Sequence, residues 1–138
     1  MKRVRPTVVL DTNVFVAAQF NPGSDAARIL DAVRRSDLRM MWDPSTRRET
    51  RAVLERIPPL SWRKAEELFR ADNRFTGKTD ADQFRRIPDP QDRKFAALAH
   101  ATGSILVSWD QHLLAEPHRI DVLVLTPSEL YSEGWIDR

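Results

Sequence analysis

Short apolar runs alternate along the chain with longer stretches in which apolar residues recur at helical spacing. The runs lie at residues 7–10, 38–42, 104–108 and 121–125. The first run is nearly all β-branched up to Leu10, which is typical of a strand that is covered on both faces. Because helical stretches separate the runs, the pattern predicts a three-layer α/β/α domain with a mainly parallel central sheet.

Residues that favour helix starts stand before the helical stretches. The predicted helices begin after Asp11, at Ser24, near Ser45, at Ser61, at Asp89 and at Thr126. Gly103 is predicted to end the helix that begins at Asp89, since glycine is favoured just past a helix C-terminus. Residues 71–88 are polar and irregular, which predicts a loop or a short helix.

Composition narrows the class of protein. With 138 residues, the chain is expected to form a single domain spanning residues 1–138. It has no cysteine and no apolar run long enough for a membrane span or a signal peptide, so we expect a cytoplasmic protein without disulfides. The net charge of +2 permits nucleic-acid binding but does not argue for it. A glycine-rich phosphate loop is absent, which argues against dinucleotide binding and P-loop chemistry.

Acidic residues collect where the predicted strands end. Asp11 follows the first strand and Asp110 follows the third. Asp89 and Asp92 stand at the start of the helix before the third strand, and Glu49 lies near the start of the helix after the second. Because crossover helices run back against the strands, all these acids are expected at the carboxyl edge of the sheet, where open α/β sheets bind ligands.

Each acid also has a purely structural explanation. Asp11, Asp89 and Asp110 can cap the helices that follow them, and the stretch from Thr46 to Glu49 matches a capping box. As a set, however, the acids would repel one another by about 1 kcal/mol per pair even in water, and a bound cation relieves that repulsion. Oxygen donors without cysteine favour Mg²⁺ or Mn²⁺, ions that serve phosphoester chemistry.

Three stretches resemble the PIN-domain nucleases, especially the toxins of VapBC-like toxin–antitoxin pairs. These are VVLDTNVFVAA at 8–18, residues 45–54 with Glu49, and DPQDRKFAALAHATGSILVSWDQHLL at 89–114. VLVLTPSEL at 122–130 is a weaker match. The most specific feature is the order of acid, apolar helix, glycine, strand and acid between Asp92 and Asp110. The 57–88 region carries no resemblance.

The resemblance implies an endoribonuclease that uses Mg²⁺ or Mn²⁺, is held inactive by a cognate antitoxin protein and forms a homodimer. It identifies the acidic quartet as Asp11, Glu49, Asp92 and Asp110. Asp11 and Asp92 would be the main metal ligands, while Glu49 and Asp110 would complete a second site or orient water. The supporting residues would be Asn13, Ser108 and Asp89, of which Asp89 competes with Asp92 for the third acidic position.

The sequence departs from the family pattern at Trp109, and it also has basic residues that could bind RNA. Trp109 stands where family members usually carry a small or polar residue, and it is expected to narrow access to Asp110. Basic residues that could contact RNA phosphates, or simply form a solvated face, are Arg47, Arg48, Arg51, Lys78, Arg85 and Arg86.

Two alternatives remain open from the sequence. One is a PIN nuclease that is not a toxin and acts in RNA processing or on DNA. The other is a non-catalytic module, either a degenerate PIN domain or a receiver-like domain that gathers Asp residues and Mg²⁺ at a sheet edge. The receiver-like reading is disfavoured because Thr12 stands where a second acid is needed and no lysine follows Lys94.

Overall fold

The computed structural model describes residues 6–115 and 121–135. Its strands are β1 (Thr7–Leu10), β2 (Arg39–Met40), β3 (Ile105–Val107) and β4 (Val124–Leu125). Its helices are α1 (Thr12–Phe20), α2 (Asp25–Arg34), α3 (Pro44–Arg56), α4 (Trp62–Glu66), α5 (Pro90–Thr102), α6 (Gln111–Ala115) and α7 (Pro127–Ser132). Two 3₁₀ turns, Ala71–Asn73 and Ala81–Phe84, lie between α4 and α5.

The four strands form one parallel sheet in the order β2-β1-β3-β4. This confirms the predicted α/β/α fold class with its parallel sheet. The second strand is shorter than the predicted 38–42 because Trp42 leaves the ladder with β1 and bridges to Arg74 instead. The predicted span of 1–138 extends over residues outside the described ranges.

Successive strand residues point to opposite faces and build a core on each side of the sheet. Val8, Leu10 and Val107 belong to the core under α1, α2, α3 and α4. Val9 and Leu106 belong to the second core, which α5 covers. The strands are therefore buried on both faces, which explains their nearly continuous apolar sequence.

Local capping fixes where the helices begin and end. Pro90 occupies the first turn of α5 behind the N-cap Asp89, and Gly103 ends the helix in the left-handed conformation with φ of 64°. A Cβ at Gly103 would meet no atom within 4 Å, so the backbone conformation rather than space requires glycine there.

One predicted cap is wrong, and the difference affects the candidate site. The capping box of α3 joins Asp43 and Thr46, not Thr46 and Glu49: Asp43 Oδ1 accepts from the Thr46 N–H at 2.8 Å, and Thr46 Oγ1 accepts from the Asp43 N–H at 3.1 Å. The helix begins at Pro44, so Glu49 lies beyond its first turn and has no capping role.

The 71–88 region is irregular, as predicted, but it is anchored to the second core. Phe84 and Ile87 are buried there, only 2% and 4% exposed. The Arg93 side chain donates to the carbonyls of Ile87 and Arg85. Two apolar side chains and one arginine of α5 thus fix the end of the segment that leads into α5.

Within the described residues, no helix is both long enough and apolar enough to cross a membrane.

Candidate active site at the carboxyl edge of the sheet

Asp11 lies where β1 ends and α1 begins, and its carboxylate is held on both sides. Oδ2 accepts a hydrogen bond from Ser108 Oγ at 2.8 Å, and Oδ1 accepts a longer one from the Asn13 N–H at 3.4 Å. The residue is buried. Burial raises the pKa of Asp11, the bonds from Ser108 and Asn13 oppose that shift, and the charge of Asp110 adds to it.

Ser108 connects Asp11 to the second acid of the edge. Its hydroxyl donates to Asp11 and accepts from the Asp110 N–H at 3.0 Å. Ser108 is fully buried at the end of β3, beside β1. The hydroxyl therefore fixes the separation of two neighbouring strand ends, each of which carries an acid.

Asp110 caps α6 while it belongs to the acidic group. Its Oδ1 accepts from the backbone N–H groups of His112 at 2.8 Å and Leu113 at 3.2 Å. Oδ2 makes no bond to those amides, and the Asp110 carboxylate is among the groups that raise the pKa of Asp92. Capping and membership of the cluster are thus compatible at this residue.

Asp92 is the most strongly perturbed acid of the described residues. Burial, a hydrogen bond with Asp110 and the charges of Asp11, Asp110 and Asp89 together raise the pKa of Asp92 to about 8. A carboxyl in the first turn of a helix would ordinarily be stabilised in its charged form by the helix dipole. The opposite shift reflects burial together with the negative charges of Asp11, Asp110 and Asp89, which outweigh the helix dipole.

Asp89 and Asp92 have different surroundings, although both stand at the start of α5. Asp89 is exposed and caps α5, with Oδ1 accepting from the Gln91 N–H at 2.9 Å. Its charge still contributes to the shift at Asp92. Of the two competing acids, Asp92 is therefore the one in the crowded group, and Asp89 is the cap beside it.

Glu49 lies near the cluster but outside it. It is half-buried on α3, and among the described residues no hydrogen bond or ion pair involves its side chain. The neighbouring Thr50 is buried and shares a 3.0 Å hydrogen bond with Thr12, the residue after Asp11. The Thr50–Thr12 bond therefore holds this part of α3 against the turn after Asp11. The Glu49 carboxylate, however, is not among the groups that shift the pKa of Asp11 or Asp92.

Asn13 contacts Asp11 through its backbone N–H, and the residue is otherwise exposed at the start of α1. A role for its side chain stays a prediction. The contact that the sequence analysis missed is the Thr12–Thr50 pair, which docks α3 onto α1. The sequence feature that could have indicated this contact is Thr50, a polar residue at a position of α3 that faces the core.

The donor set suits a hard divalent cation. It consists of carboxylate oxygens with a serine hydroxyl, and no cysteine is present. As the side chains stand, no three acidic or histidine groups within residues 6–115 and 121–135 converge as metal ligands. Burial first, and the neighbouring carboxylates after it, raise the pKa values of Asp11 and Asp92, and a bound cation would offset both effects by favouring the charged carboxylates.

Comparison with known proteins gives a family and a fold. The PIN domain family matches residues 7–112 of the chain. The structure of FitAcB from Neisseria gonorrhoeae is similar with a TM-score of 0.57 at 19% identity, covering 89% of this chain and 99% of that one. The structure of FitAB bound to an IR36 DNA fragment is similar with a TM-score of 0.55 at 16% identity, covering 95% and 97%. No curated protein matches the sequence.

Proposed function

The chain belongs to the PIN domain family, and on that premise we propose that it is a Mg²⁺- or Mn²⁺-dependent endoribonuclease, the toxin of a toxin–antitoxin pair. PIN domains are in general nucleases. The observation that carries the proposal is the placement of acids at the carboxyl edge of the sheet, where Ser108 bonds to both Asp11 and the Asp110 N–H and where burial and the neighbouring charges raise the pKa of Asp92 to about 8.

In the proposed site, Asp11 and Asp92 hold the cation, and Asp110 completes its surroundings. A divalent cation bound there would activate a water molecule and stabilise the leaving oxygen of a phosphodiester. Ser108 keeps the Asp11 carboxylate oriented and favours its charged form. Asp92, whose pKa is raised to about 8, would have to lose its proton to serve as a ligand, since metal ligands must be deprotonated.

Glu49 and Asn13 have weaker support. Glu49 is proposed to act on water or on a second cation, because the Thr12–Thr50 bond holds its helix against the turn after Asp11. Asn13 is proposed to contact the substrate, since its side chain is exposed beside Asp11. We infer smaller contributions for both than for Asp11 and Asp92.

Cleavage of RNA by the purified protein tests the proposal. Wild-type protein should cut single-stranded RNA with Mg²⁺ or Mn²⁺ and lose that activity in EDTA. Asp11→Asn should lower the rate at least about a hundredfold, because one ligand and the Ser108 contact are changed together. Asp37→Asn, a change of the same kind at an exposed residue, is the matched control. Equal cleavage by wild type and Asp11→Asn would refute the proposal.

The partners are part of the same proposal. Expression of the chain alone should arrest growth, and co-expression with the protein of the adjacent open reading frame should relieve the arrest. Sedimentation of the purified chain tests the proposed homodimer. Growth without arrest would instead favour a PIN nuclease with a housekeeping role in RNA processing.

DNA is the second candidate substrate. One similar solved structure holds a DNA fragment, although it shows likeness of fold alone at 16% identity. Single-stranded DNA of the same sequence, incubated beside the RNA, separates the two candidates. Faster cleavage of DNA would replace the proposed substrate and leave the acidic site intact.

A further inference from the structure

A basic cavity of about 590 Å³ opens beside β2, next to the acidic edge. The residues that matter in its lining are Trp42, Arg47, Arg48, Arg51, Phe69 and Arg74. We propose that this arginine pocket binds an RNA nucleotide that flanks the scissile phosphodiester, with its phosphate on the guanidinium groups and its base against their planes or the Phe69 ring. The inference rests on the proposed ribonuclease function and names part of its substrate site.

Aromatic side chains form the foundation of the pocket. Phe69 packs against Trp42 with ring centroids 5.7 Å apart and against Trp62 at 5.3 Å. Trp42 and Trp62 are buried, whereas Phe69 is only partly buried and lines the cavity. The cluster is rigid because the Trp42 indole N–H also donates to the Arg70 carbonyl at 2.7 Å.

The guanidinium groups are placed over these rings. Arg47 lies 5.0 Å and Arg51 5.8 Å from the centroid of Trp62, and Arg74 lies 5.9 Å from that of Trp42. Contacts of this kind hold a cation in place without neutralising its charge. Arginine planes held in this way can accept a stacked base as well as a phosphate.

The charge of the pocket is largely uncompensated. No acidic residue is among the described residues that line it. Arg51 pairs with Glu55, but Arg47, Arg48 and Arg74 have no ion pair with any carboxylate of the described chain. Three free guanidinium groups around a partly apolar cavity favour a ligand that is anionic and also has a flat apolar face, which describes a nucleotide.

The pocket and the acidic edge lie at the ends of neighbouring strands, β2 and β1. Met41 donates to the Val8 carbonyl at 2.8 Å, which continues the β1–β2 register and brings Trp42 level with Leu10, the residue before Asp11. Arg74 lies one strand farther out through its bridge to Trp42. Two strand spacings amount to roughly 10 Å, so the pocket is within reach of a nucleotide near the cleaved bond.

The helix α3 also connects the two places. It carries Arg47 and Arg51 beside the pocket, and Thr50 on the same helix is bonded to Thr12 beside Asp11. An acidic peptide of a partner protein would satisfy the arginines too. Continuity with the acidic edge favours the RNA, because a substrate must pass over that edge.

Binding of a fluorescent single-stranded RNA of mixed sequence in EDTA tests the inference without cleavage. Arg74→Ala and Arg47→Ala should each weaken binding by about tenfold and reduce the dependence of log K on log salt by about one phosphate contact. Arg56→Ala, an exposed arginine of the same helix outside the pocket, should leave both quantities unchanged. Arg74→Lys should keep the salt dependence but not the full affinity. Thermal unfolding of each variant checks that it is folded.

The outcomes separate the inference from the function on which it rests. Wild type that cleaves RNA, with folded Arg74→Ala and Arg47→Ala binding RNA as wild type does, would overturn the pocket and keep the ribonuclease. Pocket variants that bind RNA normally but escape inhibition by the antitoxin would assign the pocket to that protein and likewise overturn it. Wild type that neither binds nor cleaves RNA would refute the function, and the pocket proposal with it.

Discussion

The acidic edge and the arginine pocket are neighbours with opposite charge, and they are held in different ways. At the acidic edge, backbone amides and one serine hydroxyl hold the carboxylates at strand ends and helix starts. In the pocket, indole rings hold the guanidinium groups, and the contacting residues come from separate parts of the chain. The first arrangement fixes a few atoms closely, as chemistry requires, whereas the second provides a charged surface of the kind that suits substrate binding.

The largest loss of RNA cleavage should come from substitutions in the acidic quartet, and its members should differ in how much they matter. Asp92→Asn should lower RNA cleavage by about a hundredfold or more, because Asp92 lies among the crowded carboxylates. Glu49→Gln should lower it by only about tenfold, since its carboxylate is not among the groups that perturb Asp11 or Asp92. Single-turnover rates at saturating Mn²⁺ measure both. Equal losses would mean that Glu49 belongs to the same group.

Ser108→Ala should have the next largest effect, through Asp11. Loss of the hydroxyl removes a bond that favours the charged carboxylate, so the pKa of Asp11 should rise further and the acid limb of the pH–rate profile should move to higher pH. Cleavage near neutrality should fall by about tenfold.

Ser104→Ala is the matched control for Ser108→Ala. Ser104 is also buried, flanks the other end of β3, and bonds to Thr7 and Thr102. Its loss should lower the free energy of unfolding by about 1 kcal/mol without moving the pH–rate profile. An identical shift of the profile in both variants would rule out a specific role for Ser108.

The sequence predicts the parts of these two regions that depend on contacts between residues near one another in the chain. Asp11, Asp89 and Asp110 follow or precede recognisable strands and helix starts, so their edge could be inferred from periodicity. The sequence also marks Asp43 and Pro44 as a helix start, although the capping box is predicted at Thr46 and Glu49 instead of Asp43 and Thr46. The short β2 could not be predicted, because it depends on where the chain leaves the sheet. The sequence names Arg47, Arg48 and Arg51 as possible RNA contacts, but it could not predict the pocket itself, because Trp42 and Arg74 meet only in the folded chain.

The stability of the metal-free protein should depend on pH through the acidic edge. The pKa of Asp92 is about 8 in the folded protein and near 3.8 when unfolded, so the folded state keeps a proton that the unfolded state releases between those values. The free energy of unfolding should therefore fall as the pH rises through that window. Asp92→Asn should flatten this part of the profile. Urea unfolding in EDTA measures both, and an unchanged slope in the variant would contradict the crowding.

The smallest effect should come from the contact between α1 and α3. Thr50→Val removes the buried bond to Thr12 and leaves the Thr12 hydroxyl without that partner, which should lower the free energy of unfolding by about 1 to 2 kcal/mol. Cleavage should change by less than Glu49→Gln changes it, if α3 stays docked. Denaturant unfolding and single-turnover rates on the same preparation give the two numbers.

Calorimetric titration of Mn²⁺ into the metal-free protein tests the central claim most directly. Wild type should bind Mn²⁺ and release a proton near neutral pH, seen as a heat that depends on the ionisation enthalpy of the buffer, because Asp92 is protonated before the cation arrives. Asp11→Asn should bind far more weakly, while Ser104→Ala should bind as wild type does. Absence of Mn²⁺ binding by wild type, or equal binding by Asp11→Asn, would contradict the assignment of the acidic edge as the metal site.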